Sequence, residues 1–336
     1  MAFDPKLRSN NERPLFIIGV VFSVIAYAAL VVSIVGAFYG AVILAFVLIG
    51  QALFLAHVRG NGLRVSKAQL PGLYARCEEA AGKLGLATMP EIYLVQSHGI
   101  LNAFATKLLS RKFVIINSAL ADACTDPRQL DFVVGHELGH LAAGHLAWNA
   151  LLLPFHLVPW LGTAYSRARE YTCDRAGLVC CGGLEPAIRG LAVLAVAGRS
   201  AAELDLRTFM AQRHDTGAFW MAVLELNSTH PYLCKRAAAL QEFTTPGTVK
   251  PVRRTPLAYP LAPVFGFAVA GTGAAPIMAI ALIGMLAAIA IPNFKKFQER
   301  AQQAAQQQQQ ELTSPRQGGG NRPSAPNESA EPAPQR

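Results

Sequence analysis

The chain has 336 residues, 52% of them hydrophobic and only 15% charged, with a formal net charge of +9. That length allows one sizeable domain with appendages, and that apolar content is high for a soluble protein. The basic residues are scattered with no aromatic pattern beside them, which argues against a nucleic-acid partner despite the positive charge.

Lys6, Arg8 and Arg13 mark a basic N-terminal segment, 1–14, and residues 15–58 then carry no Asp, Glu, Lys or Arg. A bilayer crossing needs about 20 apolar residues as helix, so a run of this length predicts two transmembrane helices. We place them at 15–35 and 38–57, hinged around 36–40. A cleaved signal peptide has an apolar core of only about 7–15 residues. Arg59, Arg64 and Lys67 follow the second span. The positive-inside tendency then puts both the N-terminus and the region after 58 on the cytoplasmic side of a cell (inner) membrane.

Residues 58–250 read as the main domain. A helix is predicted over 68–85, ending at Gly85. EIYLVQ (91–96) and KFVIIN (112–117) read as strands, with a loop or irregular edge at 97–106. Asp126 as N-cap, Pro127 at the first helical position and Gln129 shortly after announce the next helix. Further helices follow over 166–181, closed by Gly182-Gly183, and over 184–197. Segment 146–165 is apolar but broken by Pro154 and Pro159, and is expected to cover a cleft from the membrane side.

A second apolar region spans 257–291, with 277–291 its best candidate crossing. Lys295, Lys296 and Arg300 follow; a single third crossing would put these cations outside, against the same tendency. The Gln/Pro/Gly-rich tail, 301–336, has too little apolar surface to offset its chain entropy and is expected to be disordered. Six cysteines form no C-x-x-C pair, the pattern of reduced, mostly buried thiols in a cytoplasmic domain.

The chemistry is concentrated in VVGHELGHLAAGH, 133–145. His136 and His140 are four apart and share one helical face, so both imidazoles reach one metal ion. Glu137, offset around the helix, reaches a water beside that ion without ligating it. This is the zinc-protease arrangement H-E-x-x-H, two ligands and a general base. His145 is not expected as the third ligand. The pattern H-E-x-x-H-x-x-G-x-x-H needs Gly where Ala143 stands and His where Leu146 stands. At about 100° per residue, continued helix would turn His145 roughly 180° from His136. A local hydrogen bond or a place at the membrane surface is expected for it instead. Thirty residues past His140, SRAREYTCDRAG (166–177) offers Glu170 and Asp174 one turn apart. Alone, these acids read as a solvated face pairing with Arg167, Arg169 and Arg175. So placed after H-E-x-x-H, Glu170 reads as the third ligand. Asp174 then accepts from the outer nitrogen of a ligating histidine.

HELGHLAAGH, SRAREYTCDRAG, LNAFAT (101–106) and NSTHPYLCKRAAAL (227–240), in this order, resemble the M48 family of zinc metallopeptidases. That family includes membrane-bound quality-control proteases, such as the bacterial heat-shock protease, and the CAAX prenyl protease. The resemblance covers roughly residues 58–245. It implies an α+β, mostly helical, zincin-like domain holding one Zn2+ by His136, His140 and Glu170, with Glu137 catalytic. It also implies that Asn102, Ala103 and Phe104 lie beside the substrate cleft. His230 and Arg236 would approach the metal, His230 to stabilise the oxyanion. The whole is expected to carry an N-terminal transmembrane hairpin and a C-terminal transmembrane helix.

Segment 283–303 looks like the N-terminal helix of type IV pilins, a likeness placed at 277–300. No basic-Gly-Phe junction precedes it, and Ala275 stands where pilins carry glutamate, so a plain membrane anchor is the expectation. The function expected is a membrane zinc endopeptidase acting on misfolded or membrane-associated polypeptides. A scaffold with a structural zinc is the alternative, but such sites close four protein ligands around the ion. CAAX-type processing is the other; nothing in the residues favours prenyl recognition.

Overall fold

The computed structural model of the protein describes residues 3–32, 34–96, 100–196, 199–269, 296–303 and 306–307. Two units emerge, Met1–Thr272 and Gly273–Arg336.

In the first unit the N-terminal segment leads into α1 (Glu12–Val32) and α2 (Ile34–Asn61). Both are long and apolar enough to cross a membrane, and only 11% of each span is buried. The first ends at Val32 and the second begins at Ile34, so 36–40, expected as the hinge, lies within α2. Gly40 instead sits where the helices approach: a Cβ there would lie 3.2 Å from Leu30.

Four strands follow: β1 (Leu63–Arg64), β2 (Glu91–Val95), β3 (Ala103–Leu108) and β4 (Arg111–Asn117). Their order is β1-β2-β4-β3, with β2 and β4 parallel and the outer pairs antiparallel. β3 occupies part of the expected loop. Its small residues Ala103 and Ala105 pack toward the main core, while Phe104 and Leu108 pack with Tyr93, Phe113 and Ile115 on the other face. This is strand alternation.

The helices of the main domain are α3 (Pro71–Lys83), α4 (Ser118–Ala123), α5 (Pro127–Ala142), α6 (Leu153–His156), α7 (Leu161–Cys181), α8 (Leu184–Ala195), α9 (Arg199–Ala202), α10 (Leu206–Ala211), α11 (Phe219–Asn227), α12 (Leu233–Thr244) and α13 (Ala258–Val269). α5 is central. Val134, Leu138 and Leu141 pack with Ile92, Val114 and Ile116 of the sheet, and Phe132 and Val133 with Ile188 and Leu191 of α8. Asp126 Oδ1 accepts from the Arg128 N–H at 2.8 Å, capping α5 ahead of Pro127. Gln129 reaches back one residue further, accepting from the Thr125 N–H at 3.0 Å.

α7 lies unusually close to α5, because glycines face it. A Cβ at Gly135 would stand 2.5 Å from Cys180 Cβ, and one at Gly139 2.9 Å from Ala176 Cβ. All six cysteines are free, and five are buried.

Segment 146–165 packs on the N-terminal helix hairpin. It folds as short turns and α6, with Leu152, Phe155 and Tyr165 packed against Leu15, Phe16 and Val20 of α1. In the second unit, residues 296–303 and 306–307 are helical, against the disorder expected from 301. Residues 296–303, KFQERAQQ, are mostly strong helix formers, whose backbone preference composition-level reasoning overlooks. The candidate crossing at 277–291 and the rest of the tail lie outside the described residues.

Candidate metal centre

The close packing of α5 on α7 brings residues thirty positions apart to one point. His136 Nε2 stands 3.4 Å from Glu170 Oε2, and His140 Nε2 stands 3.4 Å from Glu170 Oε1. One ligand atom from each of the three lies within 4.8 Å of the others, an arrangement that could hold a metal ion. Burial disfavours charge on Glu170, but His136, His140 and Arg236 outweigh it and hold its carboxyl well below the usual range. Its Oε2 is buried without an aligned hydrogen-bond partner among the described residues. An ionised, partly unsatisfied carboxylate oxygen facing two imidazole nitrogens is costly alone and is satisfied by a cation. The donor set fits a divalent metal.

Behind His136, Nδ1 stands 3.0 Å from Asp174 Oδ1. Ionised carboxylate only accepts, so Nδ1 carries a hydrogen, and Nε2 is the nitrogen that gives up its proton to bind an ion. Asp174 also accepts twice from Arg236, from Nε at 2.9 Å and from Nη2 at 2.6 Å. Arg236 Nη1 stands 3.4 Å from Glu170 Oε2. Burial opposes a charge on His136, yet Asp174 and Glu170 lift it to about 10. The same negative field favours a metal cation.

A cleft of about 100 Å³ opens at this point, lined by Asn102, Ala103, His136, Glu137, Glu170 and His230 among others. Burial pushes Glu137 up to about 7, opposed by His136 and by a hydrogen bond from the Ala105 backbone. His230 sits at the rim with its side chain 63% exposed, Nε2 3.6 Å from Glu170 Oε2. Phe104, expected beside the cleft, does not line it. Alternation turns it to the other face of β3, where its ring meets Phe54 of α2 at 5.8 Å.

The solvated-face pairing that the ligand reading displaced is absent among the described residues, and the placing of His145 is corrected here. Arg167, Arg169 and Arg175 do not pair with Glu170 or Asp174. Arg167 donates to the carbonyls of Glu225, Leu226 and Ser228, bracing the turn that carries His230. Arg169 donates to Asn149, and Arg175 to the Arg8 carbonyl. The cation that pairs with the acids, Arg236, comes from α12. His145 is not on the far side of the helix, and it makes the local hydrogen bond expected of it. α5 ends at Ala142, Gly144 takes φ +79°, and His145 turns back so that its Nδ1 lies 3.1 Å from His140 Nδ1. With Cys173 these two histidines form a second group of possible ligands. Burial drives His145 down to about 4, with Glu12 pulling the other way.

Peptidase family M48 matches residues 68–158 and 151–244, just over half of the chain. The chain belongs to this family. All the cleft residues named above lie within the matched region, while α1 and α2 precede it. The M48 peptidase is 32% identical over 145 residues to the plastoglobule-localized metallopeptidase 48, chloroplastic, of Arabidopsis thaliana. That alignment covers 38% of this chain and 41% of the relative, so the chain spans well under half of its length. No solved structure matches.

Proposed function

We propose that the chain is a membrane-anchored zinc endopeptidase whose ligands are His136, His140 and Glu170. The observation that carries this reading is the convergence of two Nε2 atoms and one carboxylate beside Glu137. Zinc held there supplies Lewis acidity, bringing the pKa of a water to about 7 and polarising a carbonyl oxygen. Glu137 takes the water's proton on its carboxylate and passes it to the leaving amine. Its elevated pKa, about 7, suits a group that must both accept and return a proton. His230 at the rim donates to the carbonyl oxygen as negative charge builds. Asp174 fixes the His136 tautomer, and Arg236 holds both acids in place.

β3 forms one edge of the sheet, and its Ala103 lines the cleft. An extended, unstructured polypeptide laid along this edge reaches the ligands, which favours misfolded or membrane-associated substrates. The exposed apolar surfaces of α1 and α2, including Ile17, Val21, Ile25, Phe46 and Leu53, suit a lipid bilayer. Both ends of that hairpin pack on the peptidase domain: Ser9 N donates to Thr172, and Val65 N to Ile92. The flanking basic residues favour the cytoplasmic side of a cell membrane. A purely structural zinc is disfavoured, because three ligands and a non-ligating Glu137 leave the site open to the cleft.

Glu137→Gln is the test. The variant should bind zinc and fold as wild type while losing cleavage of an unstructured protein such as casein. Retained cleavage refutes the mechanism, and wild-type activity unaffected by a chelator refutes the metal.

A further inference from the structure

The two ligand histidines are supported differently. Asp174 stands behind His136. Behind His140, Nδ1 instead meets Nδ1 of His145 at 3.1 Å. Two imidazole nitrogens at that distance share one hydrogen, so one donates and the other accepts. His140 Nε2 faces Glu170 Oε1 and keeps its lone pair for the metal. Its Nδ1 therefore carries the hydrogen and donates to His145 Nδ1. The His145 hydrogen is then on Nε2, which stands 3.3 Å from Glu12 Oε1 in ion-pair range but outside hydrogen-bond alignment, while the Cys173 Sγ approaches Nδ1 at 3.6 Å. A carboxylate can only accept, so Glu12–His145–His140 has a single order from acceptor to ligand, with an ion-pair-range contact as its outer link.

Glu12 is no surface acid. It is 2% exposed, at the first residue of α1. Arg8 pairs with its Oε1, and the Thr172 hydroxyl donates to its Oε2. Thr172 accepts in turn from the Ser9 N–H at 2.8 Å. Arg8 Nη2 donates to the Ala143 carbonyl at 2.8 Å, just past the metal helix, while Arg175 donates to the Arg8 carbonyl at 2.8 Å. Four of these contacts dock the start of α1 and the residues before it onto α7 and Ala143, just past α5, while the Arg8–Glu12 pair ties the segment to itself. A buried acid is expensive unless it is needed and paired; here it stands 3.3 Å behind the imidazole that backs a ligand.

Resting on the zinc site proposed above, we propose that Glu12 positions His140 through His145, so that the N-terminal segment completes the metal centre. Both are positioning residues: neither reaches the cleft. The zinc affinity of the peptidase domain then depends on the docking of the segment that enters the membrane hairpin. The competing arrangement is a second ion held by His140, His145 and Cys173. Cys173 is buried near Glu170, Glu137, Asp174 and Glu12, all of which keep its thiol protonated and a poor ligand.

The test uses the full chain in detergent. Zinc affinity is measured by competition with a chromogenic chelator, metal stoichiometry by elemental analysis, and ligand geometry by the visible spectrum of the Co2+-loaded protein. Wild type is compared with Glu12→Ala, Glu12→Gln and His145→Phe, and thermal unfolding of each metal-free variant is followed in parallel. Glu12→Ala and His145→Phe should weaken zinc roughly 10- to 100-fold and shift the cobalt bands, as loss of a contact behind a ligand does. Glu12→Gln keeps an acceptor oxygen and should recover most of the affinity; if Glu12→Ala does not fold, a wild-type cobalt spectrum and affinity in both His145→Phe and Glu12→Gln overturn the proposal. Altered unfolding temperatures with unchanged affinity and spectra in Glu12→Ala also overturn it, as do two ions per chain with one lost in Cys173→Ser. A wild type that binds neither ion refutes the metallopeptidase reading itself, and this inference with it.

Discussion

His136 Nδ1 and Asp174 Oδ1 stand 3.0 Å apart across the α5–α7 contact, and Asp174 is itself gripped by Arg236. The carboxylate thereby settles which imidazole nitrogen is free to bind a cation. In Asp174→Asn, Arg236 claims the amide oxygen and the amide NH2 faces Nδ1. The imidazole is then driven to the tautomer with its hydrogen on Nε2, the wrong one for a ligand. Metal affinity measured by chelator competition should fall roughly 10- to 100-fold. An unchanged affinity would show that Asp174 serves packing only.

Arg236 is 4% exposed between two carboxylates. Its removal leaves buried negative charge uncompensated, which costs on the order of 3–5 kcal/mol. Arg236→Met should therefore lower the melting temperature of metal-free protein sharply. Added zinc should restore part of the loss, because the ion supplies the missing positive charge beside Glu170. No zinc-dependent recovery would mean that metal and guanidinium do not share that carboxylate.

The approach of the two central helices depends on the absence of a side chain. A methyl at Gly135 would meet Cys180 Cβ at 2.5 Å and Sγ at 2.7 Å. Gly135→Ala should destabilise by about 1–3 kcal/mol through overpacking. It should also weaken the metal, since α7 carries Glu170. Gly82 in α3 is the control: nothing lies within 4 Å of a Cβ there. Gly82→Ala should be neutral or stabilise by roughly 0.5–1 kcal/mol. Denaturant midpoints and chelator competition on both variants decide the matter.

What the sequence carried at the site is what regular helix geometry carries. His136 and His140 follow from the helical repeat, and the Asp126-Pro127 start of α5 from capping chemistry. His145 was misplaced because a helical wheel cannot know where the helix stops; Gly144 was the available signal, a residue free to adopt positive φ. Glu12 was invisible, because its partners His145 and Thr172 are far away in sequence and a lone acid before an apolar run looks like a flank. Arg236 stands out only through its motif, because its partner Asp174 lies 62 positions away in sequence. Phe104 lay in a segment with too little periodicity to announce a strand, so its face could not be assigned.

Segment 146–165 gives the last prediction, a pH dependence that does not involve the metal ligands. Burial in this segment pushes His156 down to about 4, and the nearby Arg169 adds to the effect. The unfolded chain titrates this group near its ordinary value of 6.5. Between about 4 and 6.5 the unfolded state binds more protons, so stability rises with pH there. The stabilising contribution is complete above 6.5 and is lost as pH falls toward 4. His145, also near 4, acts in the same direction, and Glu137, near 7, in the opposite one. Comparing wild type with His156→Gln at each pH cancels both. In zinc-free detergent solution, the wild-type melting temperature should drop more than that of the variant between pH 7 and pH 5. Parallel curves would mean that the imidazole is as free to take up a proton in the folded chain as in the unfolded one.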